Sequence, residues 1–164
     1  MTLARLYAFA AERGIEIDHY PLRVLQAVSF PEGWIAIDRQ KFSNDIELKC
    51  ALAHEIGHCA TGSFYNIDTS VHVKALCERH ANRFAAELLV PLDDLKRAMH
   101  RGLLFAEILV RIFDVTPEFI RMVLELYEQE LFAAARIRVA PYQIKAAVIN
   151  NLMPVVGTLF VNSP

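Results

Sequence analysis

Residues 45–61 read DIELKCALAHEIGHCAT, and everything else in the chain is best understood outward from this stretch. Asn44 before it, followed by Glu47, is a variant of the capping box, and Gly62 can close the far end. A helix of about four to five turns is expected between them. Within it His54 and His58 are four residues apart, which puts them on one face about one turn apart. Their imidazoles can offer nitrogens to one metal ion. Glu55, next to the first histidine, can lean toward a water on that ion without ligating it. This is the physical content of the pattern HExxH. The bland alternative is a pair of helix-surface histidines with no metal, and a third ligand is what separates the two readings.

Two glutamates downstream compete for that role, Glu78 and Glu87. A second helix is expected from about Val73 to Val90, stopped by Pro91. At about 100° per residue the two glutamates fall on opposite sides of it, so only one can face the metal. Glu78 follows His58 at an interval where HExxH enzymes commonly return a glutamate on a second helix. Its face continues through Ala81, Asn82 and Ala85, which are small enough for close approach to the first helix. Glu87 sits one turn after Arg83 and reads as an exposed ion pair. Glu78 is therefore the expected ligand. Asn82 is expected to support the site by hydrogen-bonding a ligand carboxylate or nearby backbone, with a plain helix-packing amide as the alternative. Cys59 and Cys77 adjoin ligand positions but point about 100° away, as small buried apolar groups would. His72, His80 and Tyr65 are candidates for a transition-state donor, and nothing in their spacing selects one.

Composition narrows the function classes. With 164 residues, 54% of them hydrophobic, the chain is long and apolar enough to bury a core without disulfides. A net charge of −2 gives no reason to expect a surface for nucleic acid or anionic membranes. Cys50, Cys59 and Cys77 are odd in number and lack CxxC spacing, as expected of free thiols in a reducing compartment. The N-terminus lacks a signal-peptide pattern, and the apolar stretch 146–161 is too interrupted to span a bilayer. A cytoplasmic location is expected, with no membrane partner.

The flanking segments supply the frame. Residues 3–13 read as a helix ending at Gly14, and Ile15, Ile17 and His19 alternate as a short strand would. Residues 28–38, VSFPEGWIAID, read as two strands joined at Pro31-Glu32-Gly33. After Val90, three more helices are expected: one opening at Pro91-Leu92-Asp93-Asp94 with the proline in its first turn, one over 103–113, and one capped by Thr116-Pro117-Glu118 and running to about Arg136. The tail from Pro141 is ambiguous.

Taken together, LAHEIGH and the later CERHANRFAAELLVP resemble the ImmA/IrrE family of bacterial and phage metallopeptidases. The family pattern of a glutamate four residues before an asparagine, then Phe-Ala-Ala, two leucines and a proline is met by Glu78, Asn82, Phe84-Ala85-Ala86, Leu88-Leu89 and Pro91. The upstream WIAID and the downstream FDVTPEFIRMVLELY also look like the family. Val90 departs from the usual methionine. The resemblance spans roughly residues 3–130 and is most specific over 52–91. It implies His54, His58 and Glu78 as zinc ligands, Glu55 as the catalytic acid/base, and a helix-turn-helix repressor as the protein substrate.

The resulting expectation is an α+β fold: a mainly helical, gluzincin-like core with a small N-terminal antiparallel sheet and a C-terminal helical segment. Its parts would be a core over 1–91, a helix-turn-helix-like segment over 92–136, and a tail over 137–164. The expected function is a zinc-dependent metallo-endopeptidase that relieves repression by cleaving a repressor. One rival is a metal-containing regulatory module that sequesters a repressor without cutting it, although such a module has no need for Glu55. Another is DNA binding through residues 103–127. There the second helix opens with Pro117-Glu118 and carries Glu125, Glu128 and Glu130 against Arg121, where a recognition helix should present Arg, Lys, Asn or Gln.

Overall fold

The computed structural model describes residues 1–103 and 105–134. The chain divides into two compact units, Met1–Pro91 and the residues from Leu92 onward. The first holds α1 (Leu3–Ala11), β1 (Glu16–His19), β2 (Ala27–Phe30), β3 (Trp34–Ile37), a 3-10 turn at Arg39–Lys41, α2 (Asp45–Thr61) and α3 (Val71–Leu89). The fold is α+β, mainly helical with a small sheet near the N-terminus.

The sheet departs from expectation in one respect. Its order is β1-β3-β2, with β2 antiparallel to β3 but β1 parallel to it, so the sheet is mixed rather than antiparallel. The hairpin at Pro31-Glu32-Gly33 forces β2 and β3 to run in opposite directions, and Gly33 takes the φ of +81° that this turn needs. Residues 20–26 carry the chain past β3 to its far side, leaving β1 alongside β3 in the same direction. Trp34 Nε1 donates to Asp18 Oδ2 at 2.8 Å across that parallel pair. Asp38, closing WIAID, accepts from Leu22 N at 3.1 Å and Gln40 N at 3.2 Å, which fixes the connections at both ends.

Helix α2 forms where its caps dictate. Asn44 Oδ1 accepts from Ile46 N at 3.0 Å and Glu47 N at 2.9 Å, satisfying two amides that no helical carbonyl can reach. Glu47 reaches back one residue further than the expected box: its Oε2 accepts from Ser43 N at 2.9 Å. Gly62 ends the helix at φ +64°, the left-handed turn that glycine adopts without a Cβ penalty. Leu48, Leu52 and Ile56 recur at i, i+4 and i+8 and are fully buried. Burying each contributes about 1.5–3 kcal/mol. The neighbouring stripe, Ala53 and Gly57, meets α3, whose Ala81 and Ala85 are also buried. A Cβ on Gly57 would lie 2.5 Å from the Ala81 carbonyl oxygen, so the two helices touch backbone to backbone here.

In the second unit, α4 (Leu92–His100), α5 (Ala106–Phe113), α6 (Pro117–Leu126) and α7 (Glu128–Ala134) follow. The expected fourth helix starts later than Leu103, because Gly102 at φ +79° turns the chain out of α4 first. Thr116 caps α6 through Oγ1, which accepts from Phe119 N at 3.2 Å. The single helix expected from Thr116 to Arg136 is two, interrupted at the buried Tyr127. Its projected end and the tail over 137–164 lie outside the described residues. The exposed charges of α6 are Glu118, Arg121 and Glu125. Among the described residues no helix is long and apolar enough to cross a membrane.

Candidate metal centre

Helices α2 and α3 bring together three side chains that could hold a metal ion: His54, His58 and Glu78. One ligand atom from each lies within 4.8 Å of the others. The two Nε2 atoms are 3.1 Å apart. Glu78 Oε2 stands 3.4 Å from His54 Nε2, and Oε1 stands 3.4 Å from His58 Nε2. Two donors on one tetrahedral zinc, at bond lengths of about 2.0–2.2 Å, are separated by roughly 3.3–3.5 Å. The spacing fits.

The hydrogen bonds behind the imidazoles set their tautomers. His58 Nδ1 lies 2.6 Å from Ser63 O, a carbonyl that can only accept, so in the neutral ring Nδ1 carries the proton and Nε2 keeps its lone pair. His54 Nδ1 lies 2.8 Å from Asn82 Oδ1, with the same consequence. Two lone pairs and a carboxylate thus converge, all acceptors, and an arrangement of this kind calls for a cation between them. This donor set fits a divalent ion of the zinc type, with neutral nitrogens and one carboxylate.

The backbone explains why the ring positions are held. After Gly62 the chain folds back so that Ser63 N donates to His58 O at 3.2 Å while Ser63 O receives the ring of the same residue. Ser63 is buried, as is His58. Asn82 was expected to bond a carboxylate or backbone; it is found on the His54 ring instead. Ser63 and Gly57 have no counterpart in the sequence reading. Ser63 acts through its carbonyl, which any residue would supply, whereas Gly57 had a detectable signal as the one residue without a side chain in the middle of a packed helix.

The other candidates separate clearly. Glu55 is half-buried and lies outside the three-ligand cluster, yet its charge acts on both Cys59 and Tyr65. Tyr65 donates to Glu78 Oε1 at 2.6 Å. That bond, followed by burial and the negative charges of Glu78, Glu55 and Cys77, pushes its pKa up to about 12, so the phenol stays protonated. His72 and His80 are exposed on α3 and take no part in the cluster. Glu87 pairs with Arg83 at 2.8 Å on the outer face. Cys59 and Cys77 are half-buried, with their thiols near the carbonyl oxygens of Phe30 and Phe64. Burial and then the charge of Glu55 raise the Cys59 thiol to about 11.

Residues 34–125, just over half the chain, match the family model described as the IrrE N-terminal-like domain, a peptidase family. No curated protein and no solved structure matches the chain. The match takes in β3, α2 and α3, and with them every member of the three-ligand cluster. The chain belongs to the IrrE N-terminal-like peptidase family, the one its HEIGH and NRFAAELLVP segments resemble.

Proposed function

We propose that this protein is a zinc-dependent metallo-endopeptidase in which His54, His58 and Glu78 hold the ion and Glu55 is the catalytic acid/base. The observation that carries the reading is the convergence of two unprotonated Nε2 atoms on the Glu78 carboxylate, with both Nδ1 protons already engaged. A bound divalent ion supplies Lewis acidity toward the scissile carbonyl and lowers the pKa of water. The chain's own groups do the remainder. Asn82 and Ser63 fix the tautomer and the aim of the two imidazoles. Glu55 takes a proton from the attacking water and returns it to the leaving amine. The Tyr65 hydroxyl stays protonated beside the carboxylate ligand.

The substrate we propose is a helix-turn-helix transcriptional repressor, whose cleavage would relieve repression in the cytoplasm. Its support is the family alone, whose characterised members act in this way. The test is incubation with the repressor encoded beside the gene, with zinc and with chelator. A repressor fragment that forms with zinc and disappears with chelator is expected. An intact repressor held in a stable complex by the zinc-loaded protein would replace cleavage with sequestration.

A further inference from the structure

The connection from α2 to α3 carries a side chain that the ligand set and the acid/base leave unused. Tyr65 stands in the loop that Gly62 opens, and its hydroxyl donates to Glu78 Oε1 at 2.6 Å. The loop is braced. Asn66 Oδ1 accepts from Asp68 N and Thr69 Oγ1, both at 3.0 Å, and Thr69 Oγ1 accepts from Asn66 N at 3.0 Å. Lys74 Nζ, from the first turn of α3, donates to Ile67 O at 3.1 Å. The Tyr65 ring meets the His58 ring edge-on, with centroids 6.2 Å apart at 71°. The phenol is thus held beside the cluster by its own loop and by a ligand ring.

A carboxylate offers two oxygens with about four lone-pair sites, and can bind a cation through one oxygen or both. In Glu78 each oxygen faces a different histidine at 3.4 Å, so distance alone does not choose between them. The phenol does choose. Its short, charge-assisted bond falls on Oε1, drawing density from that oxygen and fixing the carboxylate plane. Oε2 is left as the better donor.

We propose that Tyr65 is a positioning residue that restricts Glu78 to one-oxygen coordination, keeping a place at the metal for water and substrate. The inference rests on the metal-centre reading above. Tyr65→Phe removes the hydroxyl and keeps the ring. Because the residue is 45% exposed, the metal-free variant is expected to melt with the wild type. The deciding readout is the visible d–d spectrum of the cobalt(II)-loaded proteins, which weakens as ligands are added to a four-coordinate ion. The Tyr65→Phe spectrum is expected to lose intensity relative to wild type as Oε1 joins the coordination. Failure of a normally melting variant to bind cobalt at all overturns the proposal, because freeing Oε1 is expected to add a bond to the ion and not to lose it. An unchanged spectrum overturns the role of Tyr65 and leaves the metal centre standing. Failure of the wild type to bind cobalt or zinc overturns the metal centre and the inference with it.

Discussion

Gly57→Ala should damage the proposed metal centre without touching a proposed ligand. The added Cβ would stand 2.5 Å from the Ala81 carbonyl oxygen and 3.0 Å from its carbonyl carbon and Cα. These are backbone atoms of α3, so no side-chain rotation relieves the clash. The helices must part by about 0.9 Å or more to restore ordinary contact in a close-packed interior. Alanine in place of glycine would by itself favour the helix by about 0.8–1 kcal/mol. Overpacking opposes it by about 1–3 kcal/mol, and backbone-on-backbone contact puts this case in the upper part of that range. The net is a loss of about 1–2 kcal/mol, or roughly 4–15 °C in Tm for a unit of this size. His54 and His58 ride on α2 and Glu78 on α3, so the 3.4 Å separations should lengthen toward about 4 Å, with zinc affinity falling by about tenfold or more. Thermal melting of the metal-free protein and zinc titration against a chromophoric chelator measure the two effects. A variant that melts at or above wild type and binds zinc equally well would refute the claim that close helix contact sets the site.

Glu55→Gln should keep zinc and lose about 10²–10⁴-fold in cleavage rate, since it removes proton transfer and leaves the ligands intact; retained cleavage by the purified variant would reject Glu55 as the acid/base. Glu78→Gln should lose stoichiometric zinc, whereas Glu87→Gln should retain it and change stability by no more than about 1 kcal/mol, as for an exposed ion pair. Metal analysis and melting of the two variants side by side decide the assignment. Cys59, with its thiol pushed up to about 11, should be only about one-thousandth thiolate at pH 8. Its alkylation by iodoacetamide, followed by mass spectrometry, should therefore accelerate steadily from pH 8 toward pH 11; a rate that levels off near pH 9 would contradict the assigned environment.

Much of this architecture is legible in the chain because it is written in local chemistry. Asn44 and Gly62 mark the ends of α2 through backbone groups that need partners and a left-handed turn, both properties of individual residues. The side of α3 that carries Glu78 follows from helical phase, which separates it from Glu87 before any packing is known. The direction of β1 was hidden, since a four-residue strand has no feature that encodes which neighbour it joins or in which sense. The interruption at Tyr127 was hidden as well, because the flanking residues keep a continuous helical pattern. Asn82 shows the limit most clearly. Its place one turn after Glu78 was readable, but its partner across the interface, the His54 ring, depends on how closely α2 and α3 approach. That approach is set at Gly57 against a backbone oxygen, a contact with no side-chain signature on the α3 side.

X-ray absorption at the zinc edge of the zinc-loaded protein tests the central claim most directly, because it identifies the atoms around the ion. Two imidazole nitrogens and the remaining positions filled by oxygen, at about 2.0–2.2 Å, are expected of His54, His58 and Glu78 with an open place for water. A sulfur shell near about 2.3 Å, or a single imidazole, would contradict it.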